Sequence, residues 1–346
     1  MKASPAMVAA SRWSDMGLDP TDRPVLVTGA SGYIGSHTVR MLRQRQYRVV
    51  AMDLREPRDE GSHGVVPFVV GDIADAAKTG EVLRRHDVWA VIHLAAWKSV
   101  PESLEYPARY FQNNVAAGVA LLEAMDAAGV RALVFSSSCA VYGTPTALPI
   151  TETSPLHPEN PYGESKLLFE RILRWFDACH QFRHVSLRYF NAAGAWPDAG
   201  LGEDDAEATS LIPTVMRSVS RGAAAPLRIF GSDYDTPDGT PVRDYVHVLD
   251  LAAGHVAALE YLARGGTSEL INLGSGRGTS VMEIVRMVES VTGRAVPTEM
   301  ASRRSGDPAA VWADNEKAAR ILGWRPSYGL REILESAWAW QARHDG

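Results

Sequence analysis

The 346-residue chain is 46% hydrophobic and 22% charged, the balance of a globular protein with room for two moderate domains. A formal net charge of −6 excludes nucleic-acid binding by bulk positive charge, and no apolar run approaches the roughly 20 residues of a membrane span. Two cysteines, Cys139 and Cys179, exclude a disulfide framework and point to a reducing, cytoplasmic compartment.

Met1 to Arg23 holds a short Ala-rich patch, too short for a signal-peptide core, and is expected to be a disordered extension outside the fold. Order is expected from Pro24. Val25-Leu26-Val27-Thr28 reads as a buried parallel strand. Gly29-Ala30-Ser31-Gly32-Tyr33-Ile34-Gly35 follows at once, and Ser36 opens a helical pattern through Val39 and Leu42. Strand, glycine turn and helix together form the setting of a dinucleotide-binding turn. The glycines permit close backbone approach, and the helix N-terminus turns free N–H groups toward a pyrophosphate. The spacing is G-x-x-G-x-x-G.

Tyr47 to Asp53 reads as a second strand ending in an acid, 18 residues beyond Gly35 (53 − 35). A carboxylate there accepts from the ribose hydroxyls and repels a 2′-phosphate, favouring NAD over NADP; Arg55 is the residue that would argue for the phosphate. Phe68 to Ile73 reads as a third strand and Val88 to Leu94 as a fourth, followed by Ala95-Ala96-Trp97-Lys98. Small residues at a strand's carboxyl end admit a cofactor. His93 reads as a packed strand residue. Pro107 to Ala128 reads as one long helix, Ala132 to Ser138 as the fifth strand and Val185 to Tyr189 as the sixth. The alternation predicts a doubly wound α/β parallel sheet of the Rossmann type over residues 24–190. After Asn191 the texture changes: Gly194 to Ala208 is acidic and loop-like, and mixed elements from Leu211 predict a smaller α/β substrate domain over 191–346, with segments returning to the first. No His, Cys, Asp or Glu cluster has metal-ligand spacing; no metal is expected.

The chemistry concentrates in Ser136-Ser137-Ser138 and Tyr162-Gly163-Glu164-Ser165-Lys166. Residues four apart share a helix face, so Tyr162 and Lys166 are expected side by side. A phenol is a poor base at its ordinary pKa near 10, and a neighbouring ammonium or oxidised nicotinamide stabilises its anion. A drop of roughly three units takes about 4 kcal/mol. Ser138 is the hydroxyl placed to relay a proton between substrate and phenolate.

With the glycine turn, the serine strand and Tyr162-x-x-x-Lys166, the chain resembles the extended short-chain dehydrogenase/reductase superfamily. Within it, Asp72-Ile73, Val141-Tyr142-Gly143, Arg188-Tyr189-Phe190-Asn191, Val242-Arg243-Asp244-Tyr245 and Arg303-Arg304-Ser305-Gly306-Asp307 resemble the UDP-glucose 4-epimerase family, from about Pro24 to the C-terminus. The resemblance implies an NAD that is reduced and reoxidised within one turnover. Tyr162 would take the proton of the sugar 4-hydroxyl as hydride leaves C4, the 4-keto sugar would turn over, and hydride would return to its other face. Lys166 would hold the nicotinamide ribose. The NAD contacts it implies are Gly29, Gly32, Tyr33, Ile34, Gly35, Asp53, Asp72, Ile73, Leu94, Ala95, Ala96, Lys98, Asn113, Ser138, Tyr162, Lys166 and Phe190. Those implied for the UDP-sugar are Ser138, Tyr162, Asn191, Leu211, Arg228, Phe230, Arg243, Arg304, Asp307 and Val311. It also implies a homodimer through the Asn113 and Tyr162 helices.

Four residues depart from the family pattern: Ala140 for a common Thr, Thr209-Ser210 for Asn-Asn, and Leu54 for the Asn after the ribose acid. Alternatives are the same 4-epimerase chemistry on a UDP-linked pentose, N-acetylhexosamine or uronic acid, a 4,6-dehydratase, and a non-catalytic NAD-sensing protein. A dehydratase needs an Asp-Glu pair after the serine strand, where Cys139-Ala140 stands; a sensor would lose Tyr162 or Lys166. Val311 occupies the family position that walls off the sugar's 2-substituent, where a Tyr restricts an enzyme to plain hexoses; plain core packing is the other reading of it.

Overall fold

The computed structural model describes residues 21–57, 66–203, 210–304 and 306–344. The N-terminal extension through Pro20 and the departure at Thr209 fall outside these residues.

The first half runs β1 (Val25–Thr28), α1 (Tyr33–Gln44), β2 (Val49–Asp53), β3 (Phe68–Val70), α2 (Ala76–Arg85), β4 (Ala90–His93), α3 (Val100–Glu105), α4 (Pro107–Phe111), α5 (Ala117–Ala127), β5 (Ala132–Ser138), α6 (Pro161–His180) and β6 (Arg183–Tyr189). The second half runs β7 (Asn191–Ala193), α7 (Leu211–Arg221), β8 (Leu227–Phe230), β9 (Val242–Arg243), β10 (Tyr245–His247), α8 (Val248–Ala263), β11 (Glu269–Leu273), β12 (Thr279–Ser280), α9 (Val281–Thr292), β13 (Thr298–Ala301), β14 (Ala310–Val311), α10 (Glu316–Leu322) and α11 (Leu330–His344).

Seven parallel strands form the main sheet in the order β11-β6-β5-β4-β1-β2-β3, the doubly wound α/β architecture. Strands covered on both faces need apolar residues at successive positions, and β1 and β4 are buried throughout. Alternate side chains of β5 feed opposite cores. Ala132 and Val134 pack toward Val39 and Leu42 of α1 and Val256 and Leu259 of α8; Leu133 and Phe135 pack toward Leu121 and Leu122 of α5 and Phe169 and Leu173 of α6. Each fully buried Leu or Phe contributes about 1.5–3 kcal/mol. The second half returns to this sheet, since β11 pairs with β6 and α8 covers one face. What remains of it encloses a third core of Ile212, Val215, Ile229, Ile284 and Ile333.

Several boundaries differ from the sequence reading, each for a local reason. The expected helix from Pro107 to Ala128 is interrupted by a π-helical turn at Gln112–Ala116, which aims the buried Asn114 amide at the Trp97 backbone and Ser165. The third strand stops at Val70 because the chain turns at Asp72, whose Oδ1 accepts from Ala74 N at 2.9 Å. The fourth begins at Ala90, because the amide of Val88 still bonds back to Leu83 O. The second begins at Val49, since the amide of Tyr47 closes the end of α1.

Five histidines, His37, His93, His184, His247 and His255, are buried. Burial holds His93 at about 3 and the other four at about 4, below their ordinary value of 6.5. Their unfolded forms therefore bind protons that the folded forms refuse, so stability is full above pH 6.5 and falls as pH drops toward 4. Each such histidine contributes about 1.4 kcal/mol of loss per pH unit in that window. Thermal melts are expected to show a steep fall in Tm between pH 6.5 and 4; a flat Tm across it would contradict the burial of these rings.

Candidate active site

The carboxyl ends of the parallel strands gather most of the residues read as cofactor contacts. After β1, Gly29 adopts a φ of +71°, and a Cβ there would lie 2.5 Å from Ala95 N. A Cβ on Gly35 would lie 2.0 Å from Gly29 O. The turn is thus packed too closely for side chains, and it leads into α1 with Gly32 at the N-cap and no side-chain cap. Tyr33 and Ile34 open that helix; Tyr33 OH donates to Gly194 O at 2.6 Å, tying the turn to the second half. Asp53 ends β2 and accepts from Ser31 N at 3.0 Å, so its carboxylate faces the turn. Asp72 and the buried Ile73 follow β3, and Leu94, Ala95 and Ala96 follow β4. This edge fits a dinucleotide: a helix N-terminus for a pyrophosphate, a side-chain-free floor and a carboxylate one strand away.

Lys98 and Asn113, also expected contacts, are likewise engaged by protein groups. Lys98 Nζ forms an ion pair at 3.2 Å with Glu203, and Asn113 lies on the π-helical turn with its amide 3.0 Å from Asn114 Oδ1.

The catalytic candidates meet where β5 faces α6. Asn160 caps α6, accepting from Gly163 N at 2.9 Å, with Pro161 in the first turn, so Tyr162 enters on the first turn of a well-made helix. Ser138, the last residue of β5, lies within hydrogen-bonding reach of the Tyr162 hydroxyl. Lys166 Nζ sits 5.8 Å from the centre of the Tyr162 ring and donates to Ser136 O at 2.9 Å. Burial draws the Lys166 ammonium down to about 7, against an upward pull from Glu170. Burial pushes the Tyr162 phenol above its ordinary value, with Tyr189 adding to the rise and Ser138 opposing it. The downward shift expected of the Tyr162–Lys166 pair is not seen here: burial raises the phenol, and the group that opposes the rise is Ser138. His93, read as a packed residue, is buried with Nδ1 2.8 Å from Thr28 Oγ1 and its ring stacked on Phe135.

The substrate candidates divide into two groups. Asn191, after the buried Phe190, bonds through its amide to Asp244 O, and Asp244 stands next to Arg243. Arg243 forms an ion pair with Asp307. Val311 pairs with Arg243 across the β9–β14 register and is buried in the same core as Phe190. A little apart, the guanidinium of Arg304 lies 3.9 Å from the centre of the Phe230 ring and that of Arg228 lies 5.3 Å from it. Leu211 opens α7, one residue after Ser210, whose hydroxyl bonds to Glu203.

Sequence reasoning gave no role to four polar residues that hold these groups in place: Asp244 and Arg188, named within motifs, and Glu203 and Glu170. Asp244 is buried and accepts from Ser275 N, Ser275 Oγ, Gly276 N and Ala313 N, pinning the loop after β11 and the end of β14 beside Arg243. A charged residue inside an apolar run, Arg188 in β6, was the available signal for the buried pair.

Residues 25–274 match the model of the NAD dependent epimerase/dehydratase family. The chain belongs to that family. A UDP-glucose 4-epimerase of Streptococcus mutans is 46% identical over 324 residues, covering 92% of this chain and 97% of that protein. Among solved structures, the UDP-glucose 4-epimerase of Brucella ovis in complex with NAD superposes with a TM-score of 0.88 at 44% identity, covering 91% of this chain and 97% of that one. That of Stenotrophomonas maltophila, with bound NAD and formylated UDP-arabinopyranose, gives 0.89 at 39% identity, covering 93% and 98%. In the epimerase/dehydratase chain described here, no helix among the described residues is long and apolar enough to cross a membrane, and no group of three or more His, Cys, Asp or Glu among them could hold a metal ion.

Proposed function

We propose that the chain is a UDP-glucose 4-epimerase, interconverting UDP-glucose and UDP-galactose with NAD. The observation that carries this is the meeting of Ser138, Tyr162 and Lys166 at the carboxyl edge of the sheet, beside a glycine turn that fits a dinucleotide. The near-full-length similarity to UDP-glucose 4-epimerases supports it.

Gly29, Gly32, Tyr33, Ile34 and Gly35 would hold the pyrophosphate, Asp53 the adenosine ribose, Asp72 and Ile73 the adenine side, and Leu94 to Ala96, Lys98, Asn113 and Phe190 the remainder. Bound NAD supplies a hydride acceptor at the sugar's C4 and the donor for the return. Tyr162 takes the proton of the 4-hydroxyl and gives it back, with Ser138 as the relay. Lys166, when protonated, would place a positive charge beside the phenol and favour its anion. Arg243 and Arg304 are the cations for the diphosphate, a role in which a planar fork is well suited to phosphate oxygens. Asp307 pairs with Arg243 and sets its direction; Asn191, Leu211, Arg228 and Phe230 complete the UDP side. The NAD-binding part is residues 24–190, and the UDP-sugar part is drawn from 191–346. A cytoplasmic enzyme acting as a homodimer completes the reading.

Purified protein is expected to carry NAD and to interconvert the two UDP-hexoses; a chain without that activity would overturn the assignment. Tyr162→Phe is expected to fold and bind NAD while losing about 10² to 10⁴ in kcat. Near-normal turnover would remove Tyr162 from the chemistry.

The dimer reading draws support from large apolar side chains left exposed near the helices concerned: Leu104 at 63% and Trp175 at 61%. Light scattering at micromolar concentration is expected to return twice the chain mass, and a monomer would exclude it.

One observation favours a broader substrate range. Val311 is small, and its strand partner Arg243 belongs to the candidate substrate group. Where a phenol ring would exclude a bulky 2-substituent, the smaller Val would not, and removing a clash relaxes specificity without any new attraction. Measurable epimerisation of UDP-N-acetylglucosamine is expected beside that of UDP-glucose, with Val311→Tyr suppressing the acetylated substrate far more than the plain one. A wild type inert to the acetylated sugar, or a variant that loses both equally, would count against it.

A further inference from the structure

The stripe of α6 that presents Tyr162 and Lys166 carries a third polar side chain one repeat further on. Tyr162, Lys166 and Glu170 stand at i, i+4 and i+8. Glu170 is 5% exposed, and its carboxylate accepts from Ser137 Oγ at 2.6 Å, Arg188 Nε at 2.9 Å and Arg188 Nη2 at 2.5 Å. Arg188, on β6, is fully buried and donates through Nη1 to Tyr142 OH at 3.0 Å; Tyr142 in turn donates to Asn272 Oδ1 at 2.7 Å.

We propose that Glu170 and Arg188 are positioning residues for the epimerase reaction: the carboxylate holds the proton on Lys166, and the guanidinium limits how strongly it does so. The inference rests on the epimerase reading for its catalytic consequence, and on geometry for the rest. The three consecutive serines of β5 join the groups into one unit. The carbonyl of Ser136 takes Lys166, the hydroxyl of Ser137 takes Glu170, and the hydroxyl of Ser138 reaches Tyr162. With Lys166 protonated, two buried cations face one buried anion, and ionisation of Tyr162 brings the set to neutrality.

The other groups facing Lys166 and Tyr162 are neutral. From β4, His93 is held at about 3 by burial and by Lys166 itself. After β5, burial pushes the Cys139 thiol up to about 12. From β6, burial pushes Tyr189 up to about 12. From α4, Tyr110 stands at about 12 for the same reason, with Glu102 adding to it. The face of the Phe135 ring lies 5.0 Å from Lys166 Nζ and carries no charge. Glu170 is the anion that pulls Lys166 upward, against the burial that brings it to about 7.

The test exploits the opposite signs of the two partners. Glu170→Gln removes a negative charge, so Lys166 gives up its proton at lower pH and the alkaline limb of kcat moves down by roughly one pH unit or more. Arg188→Met removes a positive charge, and the same limb moves up. KM for the UDP-sugar is expected to change little, because neither side chain belongs to the candidate substrate groups. The chain has only five lysines, so ¹³C-lysine NMR of the purified enzyme, with Lys166→Arg to assign the resonance, follows the titration directly. A Lys166 titration unmoved in Glu170→Gln, or moved the same way in both variants, overturns the proposal, whatever happens to the melting temperature. If Glu170→Gln does not fold, the double variant Glu170→Leu/Arg188→Met replaces the pair with apolar side chains, a swap that buried pairs often tolerate. Lys166 is then expected to titrate below wild type, and a titration at or above wild type overturns the proposal. Because NMR reads Lys166 without turnover, failure of the epimerase reading and failure of this one are told apart.

Discussion

The contact on which the site depends is the one between the Lys166 ammonium and the carbonyl of Ser136. An ammonium 3% exposed has lost nearly all its water, and a charged group so placed either finds partners or gives up its proton. Here it finds a carbonyl at the carboxyl end of a central strand, which fixes α6 against β5 at the point where Ser138 ends the strand. The Tyr162 ring is then held by its neighbours on the same stripe. The same helix is tied to the sheet again through Glu170, which takes Ser137 and Arg188.

Desolvation favours the neutral phenol, and a nearby positive charge would favour the anion. In the chain as described, burial raises Tyr162 and the hydrogen bond from Ser138 opposes the rise. A base that is neutral at rest and becomes an anion only beside an additional positive ring is ionised only in the loaded site.

Much of this was legible in the sequence because local patterns carry it. β1 is an unbroken apolar run followed at once by the glycine turn, and β5 spans Ala132 to Ser138 in both readings. The Tyr-x-x-x-Lys spacing placed both side chains on one face of α6 because helical period alone decides that. What stayed hidden depends on distant partners. The interruption at Gln112–Ala116 exists because Asn114 finds Trp97 and Ser165, and no short-range pattern announces a π turn. The Lys98–Glu203 pair joins residues 105 positions apart, and Arg188 looked like one residue of a motif rather than the partner of Glu170. The acid in question lay in plain view four residues beyond Lys166.

The way the two halves share structure has a mechanical consequence. β11 enters the main sheet beside β6, and the loop that follows it is bound to Asp244, next to Arg243. Asp244 also takes the amide of Ala313, two residues past Val311, while its carbonyl takes the amide of Asn191. A carboxylate that is fully buried and holds four donors costs several kcal/mol to disturb, since removing it leaves those donors unpaired. The candidate substrate residues Asn191, Arg243 and Val311 are therefore carried by the same rigid frame as the carboxyl end of β6, which in turn lies against the strand bearing Ser138. The Arg304–Phe230–Arg228 group stands on β8 and just past its partner strand β13, and is joined to that frame through the Arg243–Asp307 pair three residues away from Arg304. Val311 and the strand that bears Ser138 are thus carried on one frame, so exchanging the side chain at Val311 alters its size there without moving Ser138.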